Sequence, residues 1–183
     1  ARVPFANVGM VRIPDEVSDE QAIMISDIFP TGYFGAEMAE ITNGDTVAVF
    51  GCGPVGLFAI VSSMLLGAGR VLAVDRQPAR LEMARKLGAE VVDFDSEDPV
   101  DAILGQTGGI GVDRAIDAVG IEAEHAGKGP AAEQARRQAE LISQEERQTA
   151  PDADWRSDAA PAQALTWAIG ALAKAGTLSV IGV

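Results

Sequence analysis

The sequence predicts an α/β fold in which helices cover both faces of a doubly wound parallel sheet. Two observations support this prediction. From Thr46 onward, short β-branched runs alternate with helical segments, as right-handed βαβ units require. The composition is 48% hydrophobic but only 5% aromatic, which is typical of strands buried on both sides. With 183 residues, the chain can form one domain with a sizeable core.

The predicted elements follow one another in a regular order. The predicted strands are short apolar runs at residues 46–50, 71–74, 91–93, 115–119 and 178–182. The predicted helices are 55–66, 79–87, one that begins at Asp98 and Pro99, and one from Pro161 to Gly176. Asp98 is a favourable N-cap, and Pro99 suits the first helical position.

Two segments do not follow this alternation. In the leading segment, residues 1–44, Ser18 predicts a helix start and Thr31 predicts the cap of a short helix over residues 33–40. Residues 121–163 form a polar insertion with a helix predicted over residues 133–147. This insertion is either a surface helix with mobile flanks, or a lid over a cofactor or an oligomer contact.

Composition excludes several classes of function. The net charge of −13 argues against binding to nucleic acid or to an anionic membrane surface, and the longest apolar stretch is too short to span a bilayer. Cys52 is the one cysteine, so no internal disulfide can form, and we expect a cytoplasmic protein. With Cys52 and a single histidine, His125, the chain offers no metal cluster or catalytic triad of its own. Because it stops within an apolar run, we expect a fragment.

A glycine-rich turn joins the first strand to the first long helix. Its residues, Gly51-Cys52-Gly53-Pro54-Val55-Gly56, have the pattern G-x-G-x-x-G. The three glycines permit a tight turn, a close approach to a pyrophosphate and tight packing of the helix, in that order. Pro54 has no N–H, so we expect Val55 and Gly56 to donate to the phosphates. The pattern predicts a Rossmann-type dinucleotide-binding domain over residues 45–183.

An acid at the end of the second strand indicates which dinucleotide is bound. A carboxylate at Asp75 would accept hydrogen bonds from the ribose and repel a 2′-phosphate, which favours NAD over NADP. Arg76 beside it could tolerate that phosphate or stack on adenine, so NADP is the alternative. Asp75 could also be an exposed acid without a binding role. We expect Val119 and Gly120, after the fourth strand, to border the ligand, although Gly120 also suits an ordinary turn.

Several stretches together resemble the zinc-containing medium-chain alcohol dehydrogenase superfamily. They are residues 26–33 (SDIFPTGY), 51–57 (GCGPVGL), 74–75 (VD) and 116–120 (IDAVG). Residues 2–6, the run 27–33 and the long polar insertion are most similar to the glutathione-independent formaldehyde dehydrogenase branch. The resemblance covers nearly the whole chain and is poorest within the insertion.

The resemblance implies a hydride transfer between NAD and a small alcohol or aldehyde, with zinc in the full-length protein. Residues 1–44 would lead in from a catalytic domain, and Asp27 would be the third zinc ligand, with the other two upstream. The fragment alone would then hold no zinc and would be inactive. The sixth strand of the sheet would follow residue 183. The full-length protein would form a homo-oligomer.

The same resemblance implies further contacts with the cofactor. Thr31 would lie near the nicotinamide, and Val55 would pack against its ring. Arg80 would reach the adenosine ribose. The backbones of Ile181 and Val183 would meet the carboxamide.

Other functions stay open. Phe34 stands where members of the formaldehyde branch often have histidine, so the sequence does not settle the substrate. A non-catalytic NAD-binding sensor would need no zinc ligand at Asp27. A zinc-free medium-chain reductase would differ in the metal content of the full-length protein. A methyltransferase of related fold is a more distant alternative.

Overall fold

The computed structural model describes residues 2–120, 126–149 and 159–182, and it confirms the predicted parallel α/β sheet. The helices are α1 (Ala6–Gly9), α2 (Asp19–Ile25), α3 (Ile28–Met38), α4 (Pro54–Leu65), α5 (Pro78–Lys86), α6 (Pro99–Gln106), α7 (Pro130–Thr149) and α8 (Ala159–Ala171). The strands are β1 (Thr46–Phe50), β2 (Arg70–Asp75), β3 (Glu90–Asp93), β4 (Val112–Asp117) and β5 (Leu172–Val180). Within these residues, no helix has the length and apolar character needed to cross a membrane.

The strands are parallel and lie in the order β3-β2-β1-β4-β5, so the winding reverses between β1 and β4. Alternate side chains of β1 enter two separate cores, Ala48 and Phe50 in one, Val47 and Val49 in the other. The first core packs against α6, α8 and the start of α7, and the second against α3, α4 and α5. Helices therefore cover both faces of the sheet, as the apolar strands predict.

Two sequence signals for helix starts are confirmed. At α2, the Gln21 amide donates to Ser18 Oγ (3.3 Å) and the Ser18 amide donates to Gln21 Oε1 (3.0 Å), which completes a capping box. At α6, Asp98 Oδ1 accepts hydrogen bonds from the amides of Val100 (2.9 Å) and Asp101 (3.1 Å). These bonds satisfy amides that a helix leaves unpaired in its first turn.

Thr31 lies inside α3, so the prediction that it caps a helix is wrong. Asp27 is the N-cap residue, and the helix begins at Ile28. The Thr31 hydroxyl donates back to the carbonyl oxygen of Asp27 (2.9 Å). The earlier start places Phe29 edge-on to Phe58 of α4, with the ring centroids 5.4 Å apart. This apolar contact favours the longer helix.

Gly176 lies inside β5 and does not end the last helix, so that prediction is also wrong. The strand begins at Leu172, which pairs with Val112 of β4. The register then shifts, and Ala175 adopts a φ of 66°, because β5 carries more residues than β4 between the paired positions. The strand is therefore longer than the predicted run 178–182.

The polar insertion contains α7, as predicted, and the start of α8. Ala131, Ala132 and Ala135 are buried, so the first turns of α7 pack on the domain, whereas Leu141 further along is exposed. His125 and the rest of segments 121–125 and 150–158 lie outside the described residues. Roles as a lid or an oligomer contact stay predictions.

Candidate cofactor-binding cleft

The glycine-rich turn begins directly after β1. Gly51 has a φ of +88°, in the left-handed region that favours glycine, and its amide donates to the carbonyl oxygen of Val74 (2.9 Å). A Cβ at this position would also come within 3.0 Å of the Val119 side chain. The turn therefore requires glycine both for its backbone conformation and for its close packing between β2 and the loop after β4.

Gly53 and Gly56 differ in the space that a side chain would have. Apart from chain neighbours, no described heavy atom lies within 4 Å of a Cβ built on Gly53, whereas one built on Gly56 would collide with the carbonyl oxygen of Gly51. Helix α4 begins at Pro54, so the amides of Val55 and Gly56 lie in a first turn, where the helix offers them no acceptor. An open backbone beside such amides fits a pyrophosphate at the helix N-terminus.

A cleft of about 330 Å³ opens at the carboxyl ends of β1, β2 and β4. It lies where the winding of the sheet reverses, which is where doubly wound sheets bind ligands. More than half of the residues predicted to bind the cofactor line it: Gly51, Gly53, Asp75, Arg76, Arg80, Val119 and Gly120. The structure therefore brings these seven residues together at one cleft, whereas Pro54, Val55 and Gly56 are not among its lining residues.

The carboxylate of Asp75 is only 5% exposed and ties the glycine turn to the end of β2. Oδ2 accepts the amide of Cys52 (2.7 Å), and Oδ1 accepts those of Arg76 (2.7 Å) and Gln77 (2.8 Å). Arg80 Nη1 lies 3.8 Å from Oδ2. Asp75 is thus not an exposed acid. Because a carboxylate has about four lone-pair sites, it keeps capacity for a ribose hydroxyl.

Arg76 borders the cleft but is engaged in an ion pair. Its Nε lies 3.4 Å from Oδ2 of Asp95, in the loop after β3. Asp95 Oδ1 also accepts the amide of Gly127, at the start of the described part of the insertion (3.3 Å). The negative charge of Asp95 therefore partly balances the guanidinium that a 2′-phosphate would meet.

Besides Phe50 at the end of β1, the cleft is lined by two aromatic rings that the glycine motif does not predict. Phe94 follows β3 and Trp167 lies on α8, with the ring centroids 5.2 Å apart and the planes inclined at 45°. The indole N–H of Trp167 donates to Oε1 of Gln134 on α7 (3.0 Å). A tryptophan on a predicted helix is ordinarily a core residue, so the position of Trp167 along the chain does not indicate this second role.

The contacts predicted on the nicotinamide side lie outside this cleft. Thr31 and Val55 lie where α3 crosses α4, and a Cβ on Gly32 would come within 2.8 Å of the Val55 carbonyl oxygen. The Ile181 side chain packs against α3, and its amide donates to a carbonyl oxygen of β4 (2.9 Å). Val183 lies outside the described residues. Roles toward the nicotinamide stay predictions.

Neither a metal centre nor an activated nucleophile is assembled in the part of the chain that the structure describes. Asp27 is exposed, and its Oδ1 accepts the Thr31 hydroxyl (3.0 Å). No group of three or more His, Cys, Asp and Glu side chains comes together there. Zinc sites use three or four protein ligands, so Asp27 alone does not fit zinc. Burial, and then the charge of Asp75, raise the pKa of the Cys52 thiol, which therefore stays protonated.

Known proteins match the same region of the chain. A family model described as zinc-binding dehydrogenase matches residues 54–126. The chain is 49% identical over 122 residues to an alcohol dehydrogenase of Cupriavidus necator, covering 66% of this chain and 33% of the relative. It is 43% identical over 117 residues to the NADP-dependent isopropanol dehydrogenase of Thermoanaerobacter brockii, covering 63% and 33%. It is 41% identical over 129 residues to the glutathione-independent formaldehyde dehydrogenase of Pseudomonas aeruginosa, covering 66% and 32%.

A solved structure extends the likeness to the whole fold. The alcohol dehydrogenase from Thermus sp. ATN1 superposes with a TM-score of 0.72 at 32% identity, over 99% of this chain and 41% of that one. The chain spans about a third of the length of the curated relatives it matches. Sequence, sheet order and cleft agree: residues 54–126 match the zinc-binding dehydrogenase family, and the described part of the chain has the fold of the dinucleotide-binding domain of alcohol dehydrogenases.

Proposed function

We propose that this chain is the NAD-binding part of a zinc-dependent oxidoreductase that transfers a hydride between NAD and a small alcohol or aldehyde. The contrast between Gly53, which faces open space, and Gly56, which packs against Gly51, carries the proposal. It leaves room and amide donors for a pyrophosphate beside the cleft. NAD supplies the hydride chemistry when bound, and the residues of this chain hold and orient it.

A preference for NAD over NADP is supported by charge at the end of β2. The Asp75 carboxylate would repel a 2′-phosphate, and the ion pair with Asp95 reduces the attraction that the Arg76 guanidinium would exert on it. The second guanidinium at the cleft, that of Arg80, lies 3.8 Å from Asp75 Oδ2, so its charge is partly balanced as well. The T. brockii relative is named NADP-dependent, so a preference for NAD does not follow from the likeness to relatives and is proposed from the charges at the end of β2.

The substrate and the metal depend on the full-length protein. A formaldehyde-like substrate is supported by the P. aeruginosa relative and by the run at residues 27–33, although Phe34 departs from that branch. Asp27 would be one zinc ligand, completed by residues that this chain does not contain. The same proposal assigns residues 1–44 to a lead-in from a catalytic domain and residues 45–183 to the cofactor domain with its insertion. It also includes a homo-oligomer and a cytoplasmic location for the full-length protein.

Calorimetric titrations with NAD and NADP at matched salt test the cofactor assignment. We expect saturable NAD binding and NADP binding that is at least about tenfold weaker. Equal affinities would show that Asp75 does not discriminate the 2′-position. Absence of NAD binding by a chain that unfolds cooperatively would contradict the proposal itself.

A zinc-free reductase is the second candidate, because Asp27 belongs to no group of three or more His, Cys, Asp and Glu side chains among the described residues. Metal content and turnover of the full-length protein separate the two. One zinc per catalytic site, and oxidation of formaldehyde or a small alcohol that stops on chelation, support the first. Turnover without zinc supports the reductase. Binding without any turnover supports the sensor.

A further inference from the structure

The cleft has an aromatic wall beside the turn that follows β2. Phe94 and Trp167 both line it, together with Ala164. Trp167 is only 4% exposed, so its ring is held from behind and is not a free surface ring. Flat aromatic faces bind nucleobases by stacking and by apolar contact. The Phe94 amide donates to the carbonyl oxygen of Asp75 (3.2 Å), so the wall lies next to the acid that is proposed to bind the ribose, within reach of a base attached to that ribose.

The orientation of Trp167 is set from α7. An indole N–H can only donate, and a nearly buried one requires an acceptor. Gln134 Oε1 provides it at 3.0 Å. The Gln134 side chain is itself exposed and is not one of the described lining residues of the cleft. It can therefore act on a ligand only through Trp167.

The attachment of α7 does not depend on Gln134 alone. The buried side chain of Gln163 on α8 donates from Nε2 to the carbonyl oxygen of Ala131 (3.2 Å). Ala131, Ala132 and Ala135 in the first turns of α7 are also buried. Losing the Gln134 acceptor should therefore free the indole to reorient while α7 stays in place.

We propose that Gln134 is a positioning residue of the adenine subsite, which holds Trp167 in the orientation in which it and Phe94 receive the adenine ring. The inference rests on the proposed function, since it presupposes that the cleft binds a dinucleotide. According to this proposal, the start of the polar insertion contributes to cofactor binding by holding Trp167 from behind, and not by closing over the adenine ring.

Substitutions of matched size test the role of the acceptor. Gln134→Met removes the oxygen and keeps an unbranched side chain, whereas Gln134→Glu keeps an oxygen acceptor at an exposed position. Gln144→Met is the control, since Gln144 is exposed on the same helix and lies about 15 Å further along its axis. Each full-chain variant is titrated with NADH by fluorescence. Bound NADH is then displaced with ADP-ribose, which carries the adenine, or with nicotinamide mononucleotide, which does not.

We expect Gln134→Met to weaken ADP-ribose binding by about fivefold to tenfold, as the loss of one ordering hydrogen bond implies. Binding of nicotinamide mononucleotide should stay at the wild-type value, whereas the melting temperature should fall by a few degrees, because the nearly buried indole N–H loses its acceptor. Gln134→Glu should bind ADP-ribose within about twofold of the wild type, because the acceptor is retained. Gln144→Met should change neither ligand.

The outcomes that overturn the inference differ from those that overturn the proposed function. A wild-type chain that binds NADH, with Gln134→Met binding ADP-ribose equally well, contradicts the inference alone. Equal weakening of both displacing ligands also contradicts it, since Gln134 would then be a general structural residue. A folded wild-type chain that binds neither NADH nor ADP-ribose overturns the proposed function, and this inference with it.

Discussion

The Cα of Gly56 lies against the carbonyl oxygen of Gly51, which leaves no room for a side chain between α4 and the turn after β1. Gly56→Ala must therefore push the helix away from the strand end, because the opposing atom is backbone and cannot swing aside. We expect the free energy of unfolding to fall by about 2 kcal/mol or more, measured by urea denaturation.

Gly105→Ala is the matched control for that substitution. Gly105 is exposed on α6, and a Cβ there would meet no described atom within 4 Å beyond its chain neighbours. Alanine at this helical position should raise the free energy of unfolding by about 0.5–1 kcal/mol. If Gly56→Ala were as stable as Gly105→Ala, the close packing of α4 on the turn would be wrong.

Gly53→Ala separates binding from stability. Its φ of −67° suits alanine, and no neighbouring atom is displaced, so we expect the free energy of unfolding to change by less than about 0.5 kcal/mol. The new methyl group would occupy space that a pyrophosphate needs, so NAD affinity should fall at least about tenfold by calorimetry. Wild-type affinity in this variant would show that the ligand does not approach the turn at Gly53.

Most of the fold follows from local patterns in the sequence. The strand cores, the helices between them and the Asp98 start are all visible from residue type and spacing. The departures arise from tertiary contacts that no local pattern contains. Phe29 extends α3 backwards by packing on Phe58, and Leu172 begins β5 early by pairing with Val112.

Asp75 is predicted to be a structural residue as well as a ribose acceptor. Asp75→Asn places an NH₂ group against one or more of the backbone amides that the carboxylate now accepts. We expect a loss of about 2 kcal/mol in the free energy of unfolding, besides weaker NAD binding. Glu97→Gln, in an exposed residue of the loop between β3 and α6, should change neither quantity. An Asp75→Asn variant of wild-type stability would contradict the role of the carboxylate in holding the turn.

Asp45 is predicted to stabilise the opposite end of the sheet in a pH-dependent manner. Burial opposes ionisation, but hydrogen bonds from the Thr42 amide (2.9 Å) and Arg114 Nε (2.9 Å) outweigh it and lower the pKa of Asp45. A carboxyl whose folded pKa is lowered contributes stability above its unfolded pKa, and this contribution is lost as the pH falls through the folded value. Asp45→Asn should therefore cost about 1–2 kcal/mol at pH 7 and progressively less below about pH 4.

Urea denaturation between pH 7 and pH 3.5 measures this difference. Asp15→Asn is the control, because Asp15 is exposed and its ion pair with Arg12 is long (3.7 Å). It should leave stability unchanged at every pH. A cost of Asp45→Asn that did not decrease with falling pH would mean that the effect is not electrostatic.

The site was less predictable than the fold. The glycine turn and Asp75 could be found because phosphate and ribose binding require particular residue types at a fixed place after a strand. The wall formed by Phe94 and Trp167 could not be found in this way. Its two residues come from distant elements, and apolar contact with a nucleobase requires no particular residue type or spacing. The three amides held by Asp75 were also invisible, because backbone donors leave no trace in the sequence.

An amide NMR titration of the isotope-labelled chain with NAD tests the central claim most directly. We predict that the largest shifts occur at the amides of Gly53, Val55 and Gly56 and of the residues that follow Asp75, and that they saturate at one NAD per chain. If NAD left these amides unmoved in a chain whose spectrum is that of the folded protein, the cleft at the glycine turn would not be the cofactor site.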